Sequence, residues 1–261
     1  MVQNPGMTMH PLAEPMSAPA HPALTDSRAI GVLLVHGFTG SPASMRPWAE
    51  ALNARGYAVE VPLLPGHGTR WQDLNAVAWT SWYETAAAAL DRLLGACESV
   101  VVTGLSMGGS VALRLAEERP GDVAGLVLVN PFVSSTRKEL VALPVLHRLV
   151  PSLAGVVNDM KLQGQDEHGY HRLPLTGLFE LTRMWKAVVP DLPKVTAPLL
   201  YFQSREDHVI DQSSKDTVLT AVSSRDVTHR PLGESYHVAT LDHDAETIFS
   251  ETADFVARVT R

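Results

Sequence analysis

The chain has 261 residues, of which 45% are hydrophobic, so it is long enough to bury a substantial core and fits one large α/β domain. Its formal net charge is −7 and it has no Lys- or Arg-rich block, which disfavours a nucleic-acid partner. The single cysteine, Cys97, excludes an intramolecular disulfide and a cysteine-based zinc cluster. No apolar run approaches the ~18 residues that a membrane span requires, and we expect a cytoplasmic protein.

The first 27 residues differ in composition from the rest of the chain. They are rich in Pro, Ala and Met, and they lack the basic start and the apolar segment of a secretory signal. Their apolar content is too low and too irregular to offset the entropy cost of ordering. We therefore predict a disordered leader over residues 1–27, followed by one domain over residues 28–261.

From Ala29 onwards, short apolar runs alternate with stretches of helical character. The predicted strands cover residues 29–35, 57–64, 99–104, 123–130, 197–204 and 225–232. Helical stretches separate most of them, and one of these is predicted to start at Ser81, three residues before Glu84, as in a capping box. Such alternation is typical of βαβ units, and so of a mostly parallel sheet flanked by helices on both faces.

The alternation breaks after about residue 133. Residues 134–190 contain two helical stretches, which are separated by a polar segment without a strand signal. The insertion is too small and too central in the chain to form a separate domain. We predict a small helical cap over one end of the sheet.

The segment Gly104-Leu105-Ser106-Met107-Gly108 matches the pattern G-x-S-x-G. Alone the pattern is weak, and a flexible turn would explain it. Here an apolar run precedes it and a helical stretch follows it, which is the strand, tight turn and helix that present a nucleophilic serine. The context therefore favours Ser106 as a nucleophile.

A nucleophilic serine requires a histidine base, a carboxylate that orients the base, and donors for the oxyanion. Asp207 follows a late predicted strand and His237 follows the last one, so both are expected at the same sheet edge as Ser106. The oxyanion donors are expected to be the backbone amides of Met107 and of Phe38 in the loop "HGFTG".

Other ionisable residues lie beside Asp207 and His237 and fit helix caps or dipole partners: Glu206, His208, Asp211, Asp242, His243 and Asp244. The D-H-D at residues 242–244 and the pair His168 and His171 have spacings that also occur in metal sites, but these spacings are common. We expect neither a metal nor a cofactor.

Five stretches together resemble the bacterial monoacylglycerol lipases and the related small thermostable carboxylesterases, which are α/β-hydrolases with a small cap. The stretches are "HGFTGSPASMRPWAEAL", "PGHGT", "VVTGLSMGG", "SREDHVI" and "SYHVATLDHD". The resemblance covers about residues 30–260 and is weakest in the cap. It implies an α/β-hydrolase fold, Ser106, Asp207 and His237 as the triad, and oxyanion amides at Phe38 and Met107.

The resemblance also implies two substrate-binding residues in the cap. Glu167 matches the glutamate that binds the glycerol hydroxyls in that family, and Val156 matches an aliphatic residue that shapes the pocket. A solvated side chain is the alternative for Glu167. Apolar cap residues are expected either to line an acyl site or to pack the cap onto the body: Leu140, Leu143, Val145, Leu146 and Leu149.

Three functions are weighed on this basis. The first is a monoacylglycerol lipase, and the second is a general carboxylesterase for short or medium acyl esters. The third is a non-catalytic member of the fold, against which the complete triad argues. The expected partner is a small acyl ester or monoacylglycerol, with transient contact to a lipid surface if the cap exposes apolar residues. The sequence does not determine the oligomeric state.

Overall fold

The structure is a computed structural model that describes residues 9–261. The strands of this part of the chain are β1 (Met16–Ala18), β2 (Ile30–Val35), β3 (Ala58–Val61), β4 (Ser99–Leu105), β5 (Gly125–Val129), β6 (Ser152–Ala154), β7 (Arg172–Pro174), β8 (Leu199–Ser204) and β9 (Val227–Leu232). The α-helices are α1 (Arg46–Asn53), α2 (Trp71–Leu74), α3 (Trp79–Leu94), α4 (Met107–Glu118), α5 (Leu143–Leu149), α6 (Leu175–Val188), α7 (Ser213–Ala221) and α8 (Ala245–Val259).

Seven strands of the described chain form one sheet in the order β1-β3-β2-β4-β5-β8-β9. All neighbouring pairs are parallel except β1 and β3, which are antiparallel. Helices cover both faces of the sheet, as the alternation of elements in the sequence predicts. The predicted mostly parallel central sheet flanked by helices is confirmed.

The core lies on both faces of the sheet because successive side chains of a strand point in opposite directions. In β2, Leu33 and Val35 enter the core beneath α3, α4 and α6, whereas Val32 and Leu34 enter the core beneath α1 and α8. All four side chains are fully buried. Parallel strands covered on both faces therefore read as continuous apolar runs in the sequence.

The N-terminal segment is more ordered than predicted from residue 9 onwards. β1 extends the sheet by pairing with β3, with Met16 opposite Val61 and Ala18 opposite Val59. The predicted disordered leader over residues 1–27 therefore does not describe this strand, and residues 1–8 lie outside the described part. The segment is held by backbone pairing to the edge of β3 and by packing of Met16 and Ala18 against the core, and both depend on segments that are distant in the sequence.

The cap also differs from the purely helical insertion that the sequence predicts. β6 and β7 form a two-stranded antiparallel sheet between the two helical stretches. The second stretch, α6, belongs to the body, because Leu181, Met184 and Val188 are fully buried in the core that α3 and α4 share. None of the helices in residues 9–261 combines the length and the apolar character needed to cross a membrane.

Candidate active site

Ser106 is the single residue between β4 and α4. Its backbone has φ 54° and ψ −118°, a conformation that is rare for a residue other than glycine. Its amide donates to the Val129 carbonyl at 3.0 Å, and its carbonyl accepts from the Phe132 amide at 3.1 Å. The neighbouring strand therefore holds the turn in its strained form, with the serine at the carboxyl edge of the sheet.

The glycines around Ser106 are required by close approach of the backbone. A Cβ atom on Gly104 would lie 2.3 Å from the carbonyl carbon of Gly108. A Cβ atom on Gly108 would lie 2.0 Å from the carbonyl oxygen of Val35 in β2. The sharp strand-to-helix turn is thus possible only where these positions have no side chain.

We expect Gly108→Ala to lower the free energy of unfolding by about 3 kcal/mol, the upper range for overpacking, because backbone atoms of β2 must move to admit the methyl group. Urea unfolding measures the change. Gly121→Ala is the matched control, since no atom lies within 4 Å of its added Cβ, and its effect is expected within about 0.5 kcal/mol. Equal unfolding midpoints for the two variants would contradict this account of the turn.

Asp207 and His237 meet at the same edge of the sheet. Asp207 follows β8, His237 follows β9, and Asp207 Oδ2 lies 2.7 Å from His237 Nδ1. The other carboxylate oxygen of Asp207 accepts hydrogen bonds from the amides of Val209 and Ile210, each at 2.8 Å. The carboxylate is therefore fixed by its own loop, and the ring uses Nδ1 for this contact, which leaves Nε2 for proton transfer.

The environment of this pair stabilises its charged form. Burial raises the pKa of Asp207, but the charge and hydrogen bond of His237 and the two loop amides outweigh burial and hold that pKa below its usual range. Burial likewise lowers the pKa of His237, but Asp207, with help from Glu167 and Asp159, raises it above the ordinary value. The site can therefore stabilise the imidazolium that forms when the histidine accepts a proton.

Two backbone amides beside Ser106 are available as oxyanion donors. Within the described residues, the amides of Phe38 and Met107 donate no hydrogen bond. Met107 opens α4, where an amide has no partner inside the helix. The loop that carries Phe38 abuts the serine, since a Cβ atom on Gly37 would lie 3.3 Å from Ser106 Cβ.

The same loop is held by a buried histidine whose role the sequence analysis did not identify. His36 Nε2 accepts from the Leu64 amide at 3.1 Å, so Nδ1 carries the proton that it donates to the Gly37 carbonyl at 2.9 Å. Burial lowers the pKa of His36 to about 4, although the Gly37 contact opposes this shift. The ring stays neutral at neutral pH and ties the loop to the segment after β3.

Asn130 is another positioning residue that the sequence pattern did not reveal. It is fully buried directly after β5, with φ 44°, and its Nδ2 donates to the His237 carbonyl at 2.9 Å. Its Oδ1 accepts from the Ser204 amide at 2.8 Å, and Ser204 Oγ donates to the Tyr236 carbonyl at 2.7 Å. These hydrogen bonds join the ends of β5 and β8 to the loop that carries His237.

A cavity of about 220 Å³ lies between this edge and the cap. Ser106, Phe38 and His237 line its floor, and the cap contributes both predicted residues, Glu167 and Val156. Of the apolar residues expected to line an acyl site or to pack the cap, Leu140 lines the cavity. Leu143 and Leu146 pack against the core. Val145 and Leu149 are exposed to solvent.

Glu167 is held in place by the cap. Its Oε1 accepts from the Asn158 amide at 2.9 Å, its own amide donates to Asn158 Oδ1 at 3.0 Å, and its carbonyl accepts from Ser41 Oγ at 2.9 Å. Burial raises the pKa of Glu167, against the opposing effects of the Asn158 amide and His237. The side chain is therefore a half-buried wall of the cavity that the cap holds in place.

Three of the neighbouring ionisable residues have hydrogen-bond partners other than the Asp207 and His237 side chains. Asp242 accepts from the amides of Lys161 and Leu162, and Asp211 accepts from the Thr136 amide. His208 pairs with Asp159 at 2.7 Å. In the part of the chain that the structure describes, no three His, Cys, Asp or Glu side chains are grouped in a way that would hold a metal ion.

The fold, the strained serine turn and the histidine–carboxylate pair at one sheet edge are features of an α/β-hydrolase. A family model described as "Serine aminopeptidase, S33" matches residues 26–244, and the chain belongs to this family of α/β-hydrolases.

Three relatives narrow the class. The chain is 36% identical over 246 residues to a thermostable monoacylglycerol lipase of Bacillus sp. (strain H-257), covering 94% of this chain and 97% of the relative. It is 27% identical to a carboxylesterase of Bacillus subtilis (strain 168), covering 87% and 92%. A solved structure from a study of the metagenome-derived lipolytic enzymes LipS and LipT superposes with a TM-score of 0.90 and 34% identity, covering 96% and 100%. The predicted resemblance is confirmed, and the chain is a carboxylic ester hydrolase of the lipase/esterase group.

Proposed function

We propose that the protein is a monoacylglycerol lipase, which hydrolyses a monoacylglycerol to a fatty acid and glycerol through an acyl-enzyme on Ser106. The observation that carries this proposal is the position of Glu167. Its carboxylate is fixed by the cap in the same cavity as Ser106 and His237, where it can accept hydrogen bonds from hydroxyl groups of the leaving alcohol. Among the described residues, Oε2 receives no hydrogen bond and is available for this purpose.

The proposed reaction uses His237 as the base and Asp207 as its partner, and the contact between the two supports this assignment. His237 Nε2 accepts the proton of Ser106 Oγ as the oxygen attacks the ester carbonyl, and then delivers it to the leaving alcohol. Asp207 fixes the ring through Nδ1 and stabilises the imidazolium. The amides of Phe38 and Met107 donate to the oxyanion. Water enters in a second cycle of the same steps and releases the fatty acid.

The surface of the cap suits a lipid substrate. Five large apolar side chains between residues 141 and 156 are exposed: Val141, Val145, Leu149, Leu153 and Val156. Val156 also lines the cavity, so the apolar surface continues into the proposed site. Such a surface favours transient contact with a lipid aggregate, from which a monoacylglycerol enters.

A general carboxylesterase is the second candidate. The cavity walls beyond Glu167 are largely apolar, with Phe132, Leu140, Leu173 and Leu178, and such walls accept an acyl chain whatever its alcohol. The match to a carboxylesterase also supports this reading. The two candidates differ in whether the alcohol contributes to recognition.

The deciding experiment compares kcat/KM for a monoacylglycerol, the corresponding diacylglycerol and triacylglycerol, and the methyl ester of the same acyl chain. Ser106→Ala serves as the blank, and an aminoacyl anilide tests for amide hydrolysis. Preference for the monoacylglycerol supports the proposal. Equal values for the monoacylglycerol and the methyl ester would identify a general carboxylesterase instead.

We expect Glu167→Gln to lower kcat/KM for the monoacylglycerol by about 10-fold, which corresponds to the loss of one hydrogen bond to a charged group. The methyl ester has no glycerol hydroxyl that could bind Glu167. The fold-decrease in its kcat/KM is therefore expected to be smaller than the fold-decrease for the monoacylglycerol. Steady-state kinetics on both substrates measures the difference. Asp166→Asn, a change at the adjacent exposed carboxylate, is the control. An equal loss on both substrates would show that Glu167 acts on catalysis and not on alcohol recognition.

A further inference from the structure

Asp159 belongs to the cap, between β6 and β7, but its hydrogen bonds reach the two loops that carry the acid and the base. Its Oδ2 accepts from the backbone amides of His237 and His208, each at 3.2 Å. Its carbonyl accepts from the Val238 amide at 3.1 Å. One cap residue is therefore bonded to the base itself, to the residue after the base, and to the residue after the acid Asp207.

The second carboxylate oxygen fixes the side chain of Asp159 in this position. Oδ1 lies 2.7 Å from His208 Nδ1, and the Asp159 side chain is 9% exposed. The carboxylate lines the cavity, but both oxygens already have protein partners. Asp159 is therefore better suited to orienting its surroundings than to binding a substrate hydroxyl, in contrast to Glu167.

The residue before Asp159, Asn158, is hydrogen-bonded to Glu167, the residue proposed to bind the leaving alcohol. Asn158 exchanges two hydrogen bonds with Glu167, one through its amide and one through its side chain. The dipeptide Asn158-Asp159 is thus hydrogen-bonded both to Glu167, the proposed alcohol-binding residue, and to His237, the proposed base. A shift of this turn would move both groups together.

We propose that Asp159 is a positioning residue that links the seating of the cap to the alignment of the Asp207–His237 pair. The inference rests on the proposed function, since it assigns Asp159 a role in ester hydrolysis by this pair. Misplacement of a reacting group by about 1 Å can cost ~10²-fold in rate, so two amide contacts at these loops are enough to affect turnover.

The kinetic test uses Asp159→Asn and Asp159→Ala in the full chain, with p-nitrophenyl acetate, an ester whose leaving group has no glycerol hydroxyl for Glu167 to bind. We expect kcat to fall by about 10-fold to 100-fold with a smaller change in KM. Glu139→Gln, which removes an exposed carboxylate elsewhere in the cap, is the matched control and is expected to leave kcat unchanged. His208→Gln removes the ring contact but keeps the amide, and is expected to keep kcat within about fivefold, as for an exposed ion pair.

A second readout reports on alignment without turnover. We expect the Nδ1–H proton of His237, which is hydrogen-bonded to Asp207, to give a low-field proton NMR signal in the wild-type protein. In the Asp159 variants we expect this signal to move upfield or to disappear by exchange with water. Thermal unfolding is recorded in parallel, because a purely structural role would lower the unfolding midpoint and leave this signal unchanged.

An unchanged signal and unchanged kcat in both Asp159 variants would overturn the inference, as would an equal loss of kcat in His208→Gln. A wild-type chain without Ser106-dependent turnover would instead overturn the proposed function, and the NMR signal would still decide the role of Asp159.

Discussion

Replacing Ser106 with alanine is expected to lower kcat for ester hydrolysis by about 10⁶-fold, the effect of removing the nucleophile from a serine–histidine–carboxylate triad. The acyl-enzyme cannot form without Oγ, and only binding and the oxyanion amides remain. The initial rate on a short-chain ester, with protein purified away from host esterases, measures the loss. The unfolding midpoint should change little, because the substitution removes one oxygen atom and leaves the backbone of the turn between β4 and α4 in place.

Ser110→Ala is the matched control for this change. Ser110 lies on α4 one turn after Ser106, and its hydroxyl donates to the Phe132 carbonyl. Loss of this hydrogen bond is expected to lower the free energy of unfolding by about 1 kcal/mol and to leave kcat unchanged. A Ser106→Ala rate above about one thousandth of the wild-type rate would contradict the assigned nucleophile, since the triad account leaves far less than that.

Replacing Asp207 with asparagine is expected to lower kcat by about 10⁴-fold, because the amide no longer fixes the ring in the productive tautomer. The pH profile should change as well. The Asp207 carboxylate raises the pKa of His237, so its removal lowers that pKa. His237 then stays neutral to a lower pH, and the acid limb of kcat/KM moves to lower pH. A pH profile of the residual activity measures this shift.

Asp211→Asn separates the catalytic effect from a general loss of loop structure. Asp211 is a neighbouring carboxylate whose oxygens accept from the Thr136 amide and the Ser213 amide. Its replacement is expected to lower stability but to leave the acid limb of kcat/KM unchanged. The assignment of Asp207 would be wrong if Asp207→Asn kept a tenth of the wild-type kcat, or if Asp211→Asn lost as much activity.

The sheet and the serine turn were predictable because their physical causes leave local patterns. A parallel strand buried on both faces requires a run of apolar residues, as in β2 and β5, and a sharp turn around a serine requires glycine at Gly104 and Gly108. The edge at which Asp207 and His237 would meet follows from strand direction alone. Sequence patterns therefore placed both residues at the edge where the structure brings them together.

The elements that the sequence analysis missed depend on contacts between distant segments. β6 and β7 have three residues each and pair only with each other, and β1 is stabilised by the edge of β3. α3 begins at Trp79, two residues before the predicted start at Ser81. The carboxylate of Glu180 accepts a hydrogen bond from the Trp79 amide at 3.3 Å. A partner 101 residues away leaves no capping pattern in the local sequence.

The same reason explains why the supporting residues of the site were not found. Asn130 is hydrogen-bonded to His237, which lies 107 residues further along the chain. Asp159 is hydrogen-bonded to the same residue, 78 residues away. The sequence analysis assigned no role to either residue. A polar residue directly after a buried strand, as Asn130 is after β5, is the one signal that marks such a position in a parallel sheet.

The measurement that tests the account most directly is active-site labelling with a fluorophosphonate, followed by peptide mass spectrometry. Wild-type protein is predicted to gain one adduct on the peptide that contains Ser106, and Ser106→Ala is predicted to gain none. The rate of labelling is predicted to fall strongly in His237→Ala, because the serine loses its base. An adduct on another residue, or no adduct on correctly folded wild-type protein, would contradict a serine nucleophile at this turn.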